Sequence, residues 1–381
     1  MTKPDSCLDC PLYNMPYCGA EGDLATARII YIAQNPGAEE VKVGQPLVGP
    51  SGRVFNRQLF EAGIHRYELY ITNQVKCQTP KDPITGKPNR TPTKVEIAKC
   101  KRFIDAELAK CKADTVLLAG AVAFEANIGN YSTLHPGYHP KNKRGQAVSF
   151  MSRIGCVEQR DGRKWIGTIH PAFVMRMPMF HDAPIAHLRK AWKVAGSEVP
   201  LPRVFRPTLA EIETQKAVVR EATGSFADDC ETAQSYMEDE EDYIGDNYKM
   251  TMCGFSVEPY SAFILDPHEV HLWEDVFADP GIMQYEVNGE YDRYHLEQIC
   301  EQKNFRVDVQ LAHHFLHNNM RKALKPYIVS MYTNLPYYGR DLARIDEDLY
   351  CGMDNISTLL AGMEVVKQLK AEGLWELFIN H

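Results

Sequence analysis

The sequence predicts two α/β domains, and three observations carry this expectation. The chain has 381 residues, which is enough for two domains of ordinary size. The net charge is +9 in residues 1–200 and −17 in residues 201–381. Strand-like and helix-like segments alternate in the first half, which is typical of a parallel sheet with helices on both faces. We therefore expect an N-terminal three-layer αβα domain followed by a second α/β domain.

Composition excludes several other classes of protein. Hydrophobic residues make up 44% of the chain and charged residues 24%, unlike collagen, a coiled coil or a disordered chain. The sequence has no run of about 18 apolar residues that would predict a membrane-spanning helix. No apolar stretch follows Lys3 as it would in a secretory signal. These features favour a cytoplasmic protein with no membrane partner.

The elements of the first half follow from periodicity and helix caps. Short β-rich apolar runs predict strands near residues 28–33, 69–72, 115–119 and 165–169. Apolar residues at helical spacing predict a helix after Ser51. Thr93 and Glu96 form a capping box that opens a helix through about Lys112. Ligands of such sheets bind beyond the carboxyl ends of the strands, so the segments that follow the strands are candidate sites.

A proline-rich stretch separates the two halves. Residues 197–207 contain three prolines and little periodicity, which is typical of a linker. We predict domains over residues 1–196 and 223–381, joined by a linker over residues 197–222. Beyond it the sequence predicts a strand at residues 224–227, a hairpin-like pair at 250–257 and 262–265, and a mostly helical remainder.

The eleven cysteines are many for a chain without an export signal. In a reducing compartment, metal ligation or burial is favoured over disulfides. Four thiols at the N-terminus, after a predicted strand and in the capped helix suit zinc or an iron–sulfur cluster: Cys7, Cys10, Cys77 and Cys100. Cys18 and Cys111 are rival ligands by position alone, and burial without a metal is the competing interpretation.

Five ordered motifs in the first half resemble the iron–sulfur class of uracil-DNA glycosylases. They are the Cys7/Cys10 pair, residues 34–40 (QNPGAEE), residues 44–52 (GQPLVGPSG), residues 72–77 (TNQVKC) with 89–92 (NRTP) and Cys100, and residues 170–173 (HPAF). The resemblance implies a [4Fe–4S] cluster on Cys7, Cys10, Cys77 and Cys100. It also implies uracil-containing DNA as a partner, and it gives no ligand position to Cys18, Cys111 or Cys156.

The same resemblance implies roles for residues at the strand ends. A glycosylase flips its base into a pocket and reads the edge of that base. Asn73 offers a donor and an acceptor for uracil, and His170 would stabilise charge on the departing base. Gln34 and Asn35 stand where the iron–sulfur class usually has Glu and a small residue. Asn-Pro-Gly instead resembles the mismatch-type and single-strand-selective glycosylases, in which that Asn positions water, so we assign this role to Asn35 and a substrate contact to Gln34.

One position departs from the family pattern. The family usually has Phe where Leu47 stands, and that Phe stacks on the base, whereas leucine offers apolar contact without an aromatic face. The alternative is therefore a glycosylase fold kept as a DNA-binding or structural module. On that interpretation, Asn35 serves its turn and His170 is an ordinary strand-end histidine.

Carboxylates in the second half recur in a pattern that suits metal ions. Asp229 and Glu231 share one face of a strand by its two-residue period, and Tyr350 and Asp354 share one helix face at i, i+4. Asp292 adds a further carboxylate. Clustered carboxylates repel one another unless a cation neutralises them. The pattern therefore favours two Mg²⁺ or Mn²⁺ ions, about 3.5–4 Å apart, on a phosphodiester, although single acidic residues more often lie on the surface.

The ordered set resembles the DEDD 3′–5′ exonuclease domain in its tyrosine-bearing form, as attached to family-A DNA polymerases. The matching residues are Asp229, Glu231, Asn288, Asp292, Tyr350, Asp354 and Thr358, with residues 307–312 (VDVQLA) after the second motif. The resemblance implies a ribonuclease H-like fold and metal binding by the four carboxylates. It also implies water orientation by Tyr350 and a substrate contact from Asn288.

Together the resemblances predict a DNA-processing protein of replication or repair. We expect a metal-dependent 3′–5′ exonuclease, acting on single-stranded 3′ ends, with an attached glycosylase-like domain. The domain order resembles the front of certain bacteriophage family-A DNA polymerases, so a separate DNA polymerase subunit is an expected partner and the host cytoplasm the expected location. The alternative is a polymerase-associated DNA-binding subunit whose glycosylase domain is inactive.

Overall fold

The structure is a computed structural model that describes residues 3–380, apart from residue 87 and residues 233–248 and 318–327. The chain divides into two compact units. The first unit comprises Met1–Thr133 and Ala147–Val199, and the second comprises Leu134–Gln146 and Pro200–His381. A short segment of the first half of the sequence therefore folds with the second half. The predicted boundaries at residues 196 and 223 did not anticipate this segment.

The first unit has a five-stranded sheet in the order β2-β1-β3-β5-β4. The strands are parallel except β4, which pairs antiparallel with β5. The elements are β1 (Ile29–Ala33), α1 (Ala38–Val43), α2 (Pro50–Ala62), β2 (Leu69–Asn73), α3 (Lys94–Lys110), β3 (Thr115–Ala119), α4 (Ala121–Asn127), α5 (Phe150–Arg153), β4 (Val157–Arg160), β5 (Arg163–Thr168), α6 (Pro171–Val174) and α7 (Asp182–Val194). The predicted strands and the two predicted helices are confirmed.

Two apolar clusters cover the two faces of this sheet. Ile29 and Tyr31 of β1 pack with residues of α2 and α7 on one face, whereas Ile30 and Ile32 pack with residues of α3 and α4 on the other. The alternation follows from the two-residue period of a strand. The first unit is therefore the predicted three-layer αβα sandwich. The predicted capping box is also present, because Glu96 N–H donates to Thr93 Oγ1 and Thr93 N–H to Glu96 Oε2.

The second unit has a six-stranded sheet in the order β11-β10-β7-β8-β9-β6. Its elements are β6 (Arg203–Phe205), α8 (Leu209–Val218), β7 (Ser225–Thr232), β8 (Met250–Glu258), β9 (Ser261–Leu265), α9 (Glu274–Phe277), β10 (Met283–Glu286), α10 (Glu290–Leu296), β11 (Phe305–Asp308), α11 (Val309–Leu316), α12 (Val329–Tyr332), α13 (Glu347–Ala371) and α14 (Trp375–Ile379). The antiparallel hairpin β8–β9 follows β7 on one side, and β10 and β11 run parallel to β7 on the other. This is the predicted ribonuclease H-like topology.

Two details of the second half differ from the sequence expectation. The remainder predicted to be mostly helical contains the strands β10 and β11, which are only four residues long and mix polar with apolar side chains. The predicted linker contains β6, which pairs with β9, and the helix α8. Thr208 caps α8 as part of a capping box, a signal that the proline-based interpretation passed over.

The helix α13 lies against the sheet of the second unit. A Cβ atom on Gly254 of β8 would lie 2.2 Å from Asn355 Nδ2 and 2.8 Å from Cys351 Sγ, so glycine permits this close approach of helix and strand. The approach brings α13 next to β7, the strand that carries the predicted carboxylates. None of the helices in the described part of the chain is both long and apolar enough to cross a membrane.

Candidate active sites

The predicted residues of the first unit share one edge of its sheet. In the parallel pair β1–β2, Ala33 lies opposite Asn73, so Gln34 and Asn35 follow β1 beside the end of β2. β5 runs parallel to β3, which neighbours β1, and His170 comes after β5. The carboxyl ends of parallel strands meet at one edge. The strand ends therefore bring Asn35, Asn73 and His170 to the same edge.

A hydrogen-bond network fixes the side chain of Asn35. Its Nδ2 donates to Asn89 Oδ1 at 2.7 Å and to Thr79 Oγ1 at 3.3 Å, and its Oδ1 accepts from Gln34 Nε2 at 3.0 Å. Asn89 adopts a left-handed conformation with φ of 61°, and its Oδ1 also accepts from the Thr79 N–H at 3.1 Å. These hydrogen bonds determine which end of the Asn35 side-chain amide is the oxygen and which is the nitrogen. It leaves the second lone pair of Asn35 Oδ1 as a hydrogen-bond acceptor.

Asn73 carries an unsatisfied donor. The residue is 3% exposed, and its Nδ2 has no hydrogen-bond partner among the residues that the structure describes. A buried donor without a partner costs about 1–3 kcal/mol. The neighbouring Gln74, which the sequence analysis did not single out, also has an unpartnered Nε2, although its Oε1 accepts from Asn127 at 2.8 Å. The unsatisfied Asn73 donor is therefore available for a ligand with a carbonyl oxygen.

His170 is held as a neutral hydrogen-bond donor. It caps α6, and its Nδ1 accepts from the Ala172 N–H at 3.1 Å. Burial and the nearby Arg176 guanidinium lower the pKa of His170 to about 4, although the Glu40 carboxylate opposes this shift. The imidazole is therefore neutral near pH 7. Because Nδ1 accepts, the proton of the neutral ring lies on Nε2, which is left to donate.

Glu40 is a structural residue of this site that the sequence analysis missed. Its buried carboxylate accepts from the N–H groups of Val48 at 3.1 Å and Gly49 at 2.8 Å through Oε1, and from the Gly37 N–H at 3.1 Å through Oε2. Glu40 thus ties the loop after β1 to the loop before α2. Its position as the third residue of α1, where it caps Gly37, is the only local signal of this role.

Leu47 packs into the core. It is 4% exposed and lies in the same apolar cluster as Phe55 and Leu59 of α2. Its φ of 51° is left-handed. A Cβ atom on Gly52 would lie 2.0 Å from the carbonyl oxygen of Leu47, so this turn requires glycine there. Arg66 donates to that carbonyl at 3.2 Å and fixes the turn.

The four predicted cysteine ligands line one cavity of the first unit. Cys7 and Cys10 come from the N-terminal loop, Cys77 follows β2 and Cys100 lies in α3. The rival ligands Cys18 and Cys111 are not among the described residues that line it. The cavity is also lined by four cationic residues: Lys3, Lys76, Lys99 and Arg102.

Two of these cysteines already accept hydrogen bonds. The Arg102 guanidinium donates to Cys7 Sγ at 3.8 Å, and the Lys76 N–H donates to Cys100 Sγ at 3.4 Å. Within the described residues, no three of the four sulfur atoms lie within 4.8 Å of one another. A tetrahedral zinc site with Zn–S bonds of about 2.3 Å would require sulfur–sulfur distances of about 3.8 Å. In this arrangement, no three of the four thiols are therefore close enough together to share one zinc ion.

In the second unit, Asp229 and Glu231 form the core of an acidic cluster. One carboxylate oxygen of each and Cys351 Sγ lie within 4.8 Å of one another. Cys351 comes from α13, and its Sγ also donates to the carbonyl oxygen of Asp229 at 3.8 Å. The predicted one-face arrangement of Asp229 and Glu231 on a strand is confirmed. Cys351, adjacent to Tyr350 in the chain, is a group of this cluster that the sequence analysis missed.

Asp292 joins the cluster from α10. Its Oδ1 accepts from the Cys230 N–H at 2.8 Å, which links α10 to β7. Burial raises the pKa of Asp292 well above its ordinary value, and the carboxylates of Asp228, Glu231 and Glu286 raise it further. The excess of negative charge around a buried carboxylate is relieved by a proton or a cation. The donor set therefore suits a hard divalent cation.

The helix α13 presents Tyr350 and Asp354 to the same cluster. Asp354 Oδ1 accepts from the Tyr338 hydroxyl at 2.9 Å, a contact that no sequence motif indicated. Burial raises the pKa of Tyr350, and the carboxylates of Asp354, Glu231 and Asp229 raise it further. The phenol therefore stays protonated beside the carboxylates.

Asn288 occupies the turn before α10 with a left-handed φ of 56°. Its predicted substrate contact stays a prediction.

Asp228 faces away from Asp229 by the strand period and accepts from Gln284 Nε2 at 2.8 Å. Burial raises the pKa of Asp228 to about 7.

Comparison with known proteins shows which family the first half of the chain matches. Residues 20–195 match the model of the family described as the uracil DNA glycosylase superfamily. A type-4 uracil-DNA glycosylase of Thermotoga maritima is 33% identical over 173 residues, which cover 45% of this chain and 78% of that protein. The corresponding enzyme of Archaeoglobus fulgidus is 25% identical over 207 residues, covering 51% of this chain and 91% of that protein.

Two further similarities are more distant. A DNA polymerase of Bacillus phage SP01 is 26% identical over 158 residues, which cover 41% of this chain but only 14% of that polymerase. Among solved structures, the catalytic core of RRP6 from Trypanosoma brucei matches with a TM-score of 0.38 and 18% identity, over 48% of this chain and 52% of that one. At that TM-score, function does not transfer from one protein to the other.

Proposed function

Because the chain belongs to the uracil-DNA glycosylase superfamily through residues 20–195, we propose that it processes DNA, with a 3′–5′ exonuclease site in the second unit and a uracil-excision site in the first. The nuclease is the function that the geometry supports best. The observation that carries it is the meeting of Asp229 and Glu231 with the face of α13 that bears Tyr350 and Asp354.

The carboxylates provide the ligands for the nuclease reaction. Asp229, Glu231, Asp292 and Asp354 would hold two Mg²⁺ or Mn²⁺ ions, which supply an activated water and stabilise the leaving oxygen of a phosphodiester. Tyr350 would orient that water through its protonated hydroxyl. The Tyr338 hydroxyl holds the Asp354 carboxylate in place. Asn288 would contact the terminal nucleotide.

The excision site would work with neutral hydrogen-bonding groups. Asn73 Nδ2 would donate to a carbonyl oxygen of uracil, which satisfies its buried donor. Gln34 shapes the pocket by holding Asn35, whose Oδ1 would accept a hydrogen bond from the attacking water. The His170 Nε2–H would donate to the base oxygen as negative charge develops there when the N-glycosidic bond breaks.

The cysteine cavity supports an iron–sulfur cluster over zinc. Cys7, Cys10, Cys77 and Cys100 would be its ligands, and the cationic lining suits the negative charge of thiolate-bound iron. We expect anaerobically purified protein to contain iron and sulfide. Cys100→Ser should remove the iron and destabilise the first unit, whereas Cys111→Ser, a matched buried cysteine outside the cavity, should retain it. Colourless protein with one zinc per chain would contradict this assignment.

One observation favours a second function for the first unit, namely DNA binding without base excision. Leu47 stands at the stacking position, and its side chain packs into the core. Without an aromatic contact, the pocket would bind DNA but excise no base. Leu47→Phe separates the two interpretations, because restored excision would show that only the stacking contact is missing.

The test of the whole proposal is a single assay matrix. Labelled single- and double-stranded DNA, with and without uracil, is incubated with the full chain in the presence and absence of Mg²⁺. The proposal expects shortening from the 3′ end only with Mg²⁺, and alkali-labile sites at uracil with or without it. Circular single-stranded DNA serves as the control, and its cleavage at the rate of linear DNA would exclude an exonuclease.

A further inference from the structure

Residues 134–146 carry a concentration of positive charge into the second unit. In sequence they lie between α4 and α5 of the first unit, within the region that matches the glycosylase family. In the structure they belong to the second unit. Lys141, Lys143 and Arg144 lie within four residues of one another. Residues 201–381, which make up most of the second unit, have a net charge of −17, so the segment is a local exception.

Tyr138 anchors this segment. The residue is 1% exposed and lies in an apolar cluster that includes Tyr338 and Tyr350. Its hydroxyl accepts from the Gly339 N–H at 2.9 Å and donates to Asp341 Oδ1 at 3.0 Å. Asp341 Oδ2 also accepts from the Lys141 N–H at 2.7 Å. The segment is therefore fixed to residues 339–341 at both its buried tyrosine and its backbone.

The tip of the segment is a folded turn that presents its cations to solvent. Asn142 organises the turn, because its Oδ1 accepts from the N–H groups of Arg144 at 2.9 Å and Gln146 at 3.1 Å. Residues 141–147 are exposed. In the part of the chain that the structure describes, Lys141, Lys143 and Arg144 have no ion-pair partner. These three cations, with no acidic partner among the described residues, are available for an anionic ligand.

The anchor connects this turn to the acidic cluster. Tyr338, next to Gly339, donates to Asp354 at 2.9 Å. Arg340 lies in the same short loop, is exposed, and is close enough to Tyr350 to oppose the rise in the pKa of that phenol. The turn is therefore anchored to the same short loop, residues 338–341, whose Tyr338 contacts Asp354 of the proposed nuclease site.

We propose that residues 138–146, together with Arg340, bind the phosphodiester backbone of the single DNA strand whose 3′ end enters the nuclease site. The inference rests on the proposed exonuclease function and names a strand-binding element for it. A polyanion approaching a strongly acidic unit is repelled, and cations beside the site offset that repulsion. Exposed cations that form no ion pair with the described residues suit phosphates, since no such ion pair has to break before they bind.

The test compares Lys143→Ala/Arg144→Ala with Lys110→Ala/Lys112→Ala, a control that removes two exposed cations of the first unit. The substrate is a uracil-free thymidine oligonucleotide. The first variant should raise KM about tenfold and leave kcat unchanged. The slope of log(kcat/KM) against log[salt] should become shallower by about 1.4, as expected for two lost phosphate contacts on a single strand. The control variant and the charge-preserving Lys143→Arg/Arg144→Lys should match the wild type.

A small substrate separates strand binding from a structural role. Hydrolysis of the p-nitrophenyl ester of thymidine 5′-monophosphate needs the acidic cluster but no upstream strand, so Lys143→Ala/Arg144→Ala should leave it unchanged. Loss of ester hydrolysis, or an unchanged KM and salt slope, would overturn the proposal.

If the wild type trims no DNA, the exonuclease function fails, and oligonucleotide binding in Ca²⁺ still tests this element. A weaker Kd for Lys143→Ala/Arg144→Ala than for the control supports it, and equal Kd values overturn it.

Discussion

The two candidate sites differ most in their charge. The site of the first unit offers the amides of Asn35 and Asn73 and a neutral imidazole at His170. The site of the second unit crowds the carboxylates of Asp229 and Glu231 against α13. The first site consists of neutral hydrogen-bonding groups, whereas the carboxylates of the second raise one another's pKa and suit a cation.

The two sites depend on their surroundings in different ways. A hydrogen-bonding pocket depends on pre-set orientation, which Gln34 and Asn89 supply for Asn35. An acidic pocket depends on cations of two kinds. Metal ions bind the carboxylates within the cluster, and basic side chains outside it contact the polyanionic substrate. Loss of a carboxylate from the cluster should therefore be fatal in the second unit, whereas loss of a cation outside the cluster, or of one hydrogen bond in the first unit, should have a graded effect.

The largest expected effect is on the nuclease. Asp229→Ala would remove a ligand of the two proposed metal ions, so trimming of 3′ ends should fall by at least about 10³-fold, and a chelator should abolish it. Uracil excision by the same variant, measured on the same DNA, should be unchanged. Glu301→Ala, an exposed carboxylate elsewhere in the second unit, is the matched control. Full nuclease activity in Asp229→Ala would remove the acidic cluster from the mechanism.

The next effect falls on the first unit. His170→Ala removes a preorganised donor and should slow uracil excision about 10²–10³-fold. Asn73→Asp replaces the unpaired donor with an acceptor of the same shape and should have a similar effect. Trimming of 3′ ends is the internal control for both variants and should not change. Excision that persists in both would show that the base is held elsewhere.

The sequence predicted the elements and residues that local rules determine. The one-face pairs Asp229/Glu231 and Tyr350/Asp354 follow from the periods of a strand and a helix, and the strands of the first unit follow from apolar runs. Glu40 was missed because its role depends on two loops that meet only in the folded chain.

Other features were missed for the same reason. The Tyr138–Asp341 contact joins residues about two hundred positions apart, so no window of sequence contains it. The strands β10 and β11 are too short, and too mixed in polarity, to show the two-residue period of a strand. They are defined by pairing, because β10 pairs with both β7 and β11.

A smaller effect tests the proposed role of Tyr350 against that of the carboxylates around it. Tyr350→Phe keeps the buried ring and removes only the hydroxyl that would orient water. We expect kcat for 3′-end trimming to fall about 10²-fold, with little change in KM. The metal concentration that gives half-maximal activity should stay the same, because the carboxylates remain. A shift in that concentration would assign Tyr350 to metal binding.

The smallest expected effect is a pH dependence confined to the first unit. His187 is fully buried, its Nδ1 contacts Thr168 Oγ1 at 3.1 Å, and its Nε2 has no partner among the described residues. Burial and Lys190 lower the pKa of His187 to about 3. Well above pH 6.5, both the folded and the unfolded state are neutral at this residue. As the pH falls further, the unfolded state takes up the proton first, so the free energy of unfolding decreases.

At pH 5 this loss should be on the order of 2 kcal/mol relative to pH 7.5. Urea unfolding is followed by pulse labelling of two buried thiols, Cys156 in the first unit and Cys300 in the second. The midpoint read from Cys156 should fall between pH 7.5 and 5, and His187→Gln should make that fall smaller without abolishing it, because glutamine does not titrate whereas His170, with its pKa lowered to about 4, still does. Cys300 reports the second unit, whose midpoint should be the same in the wild type and His187→Gln at each pH. An equal fall of the Cys156 midpoint in His187→Gln would show that another group sets the acid sensitivity of the first unit.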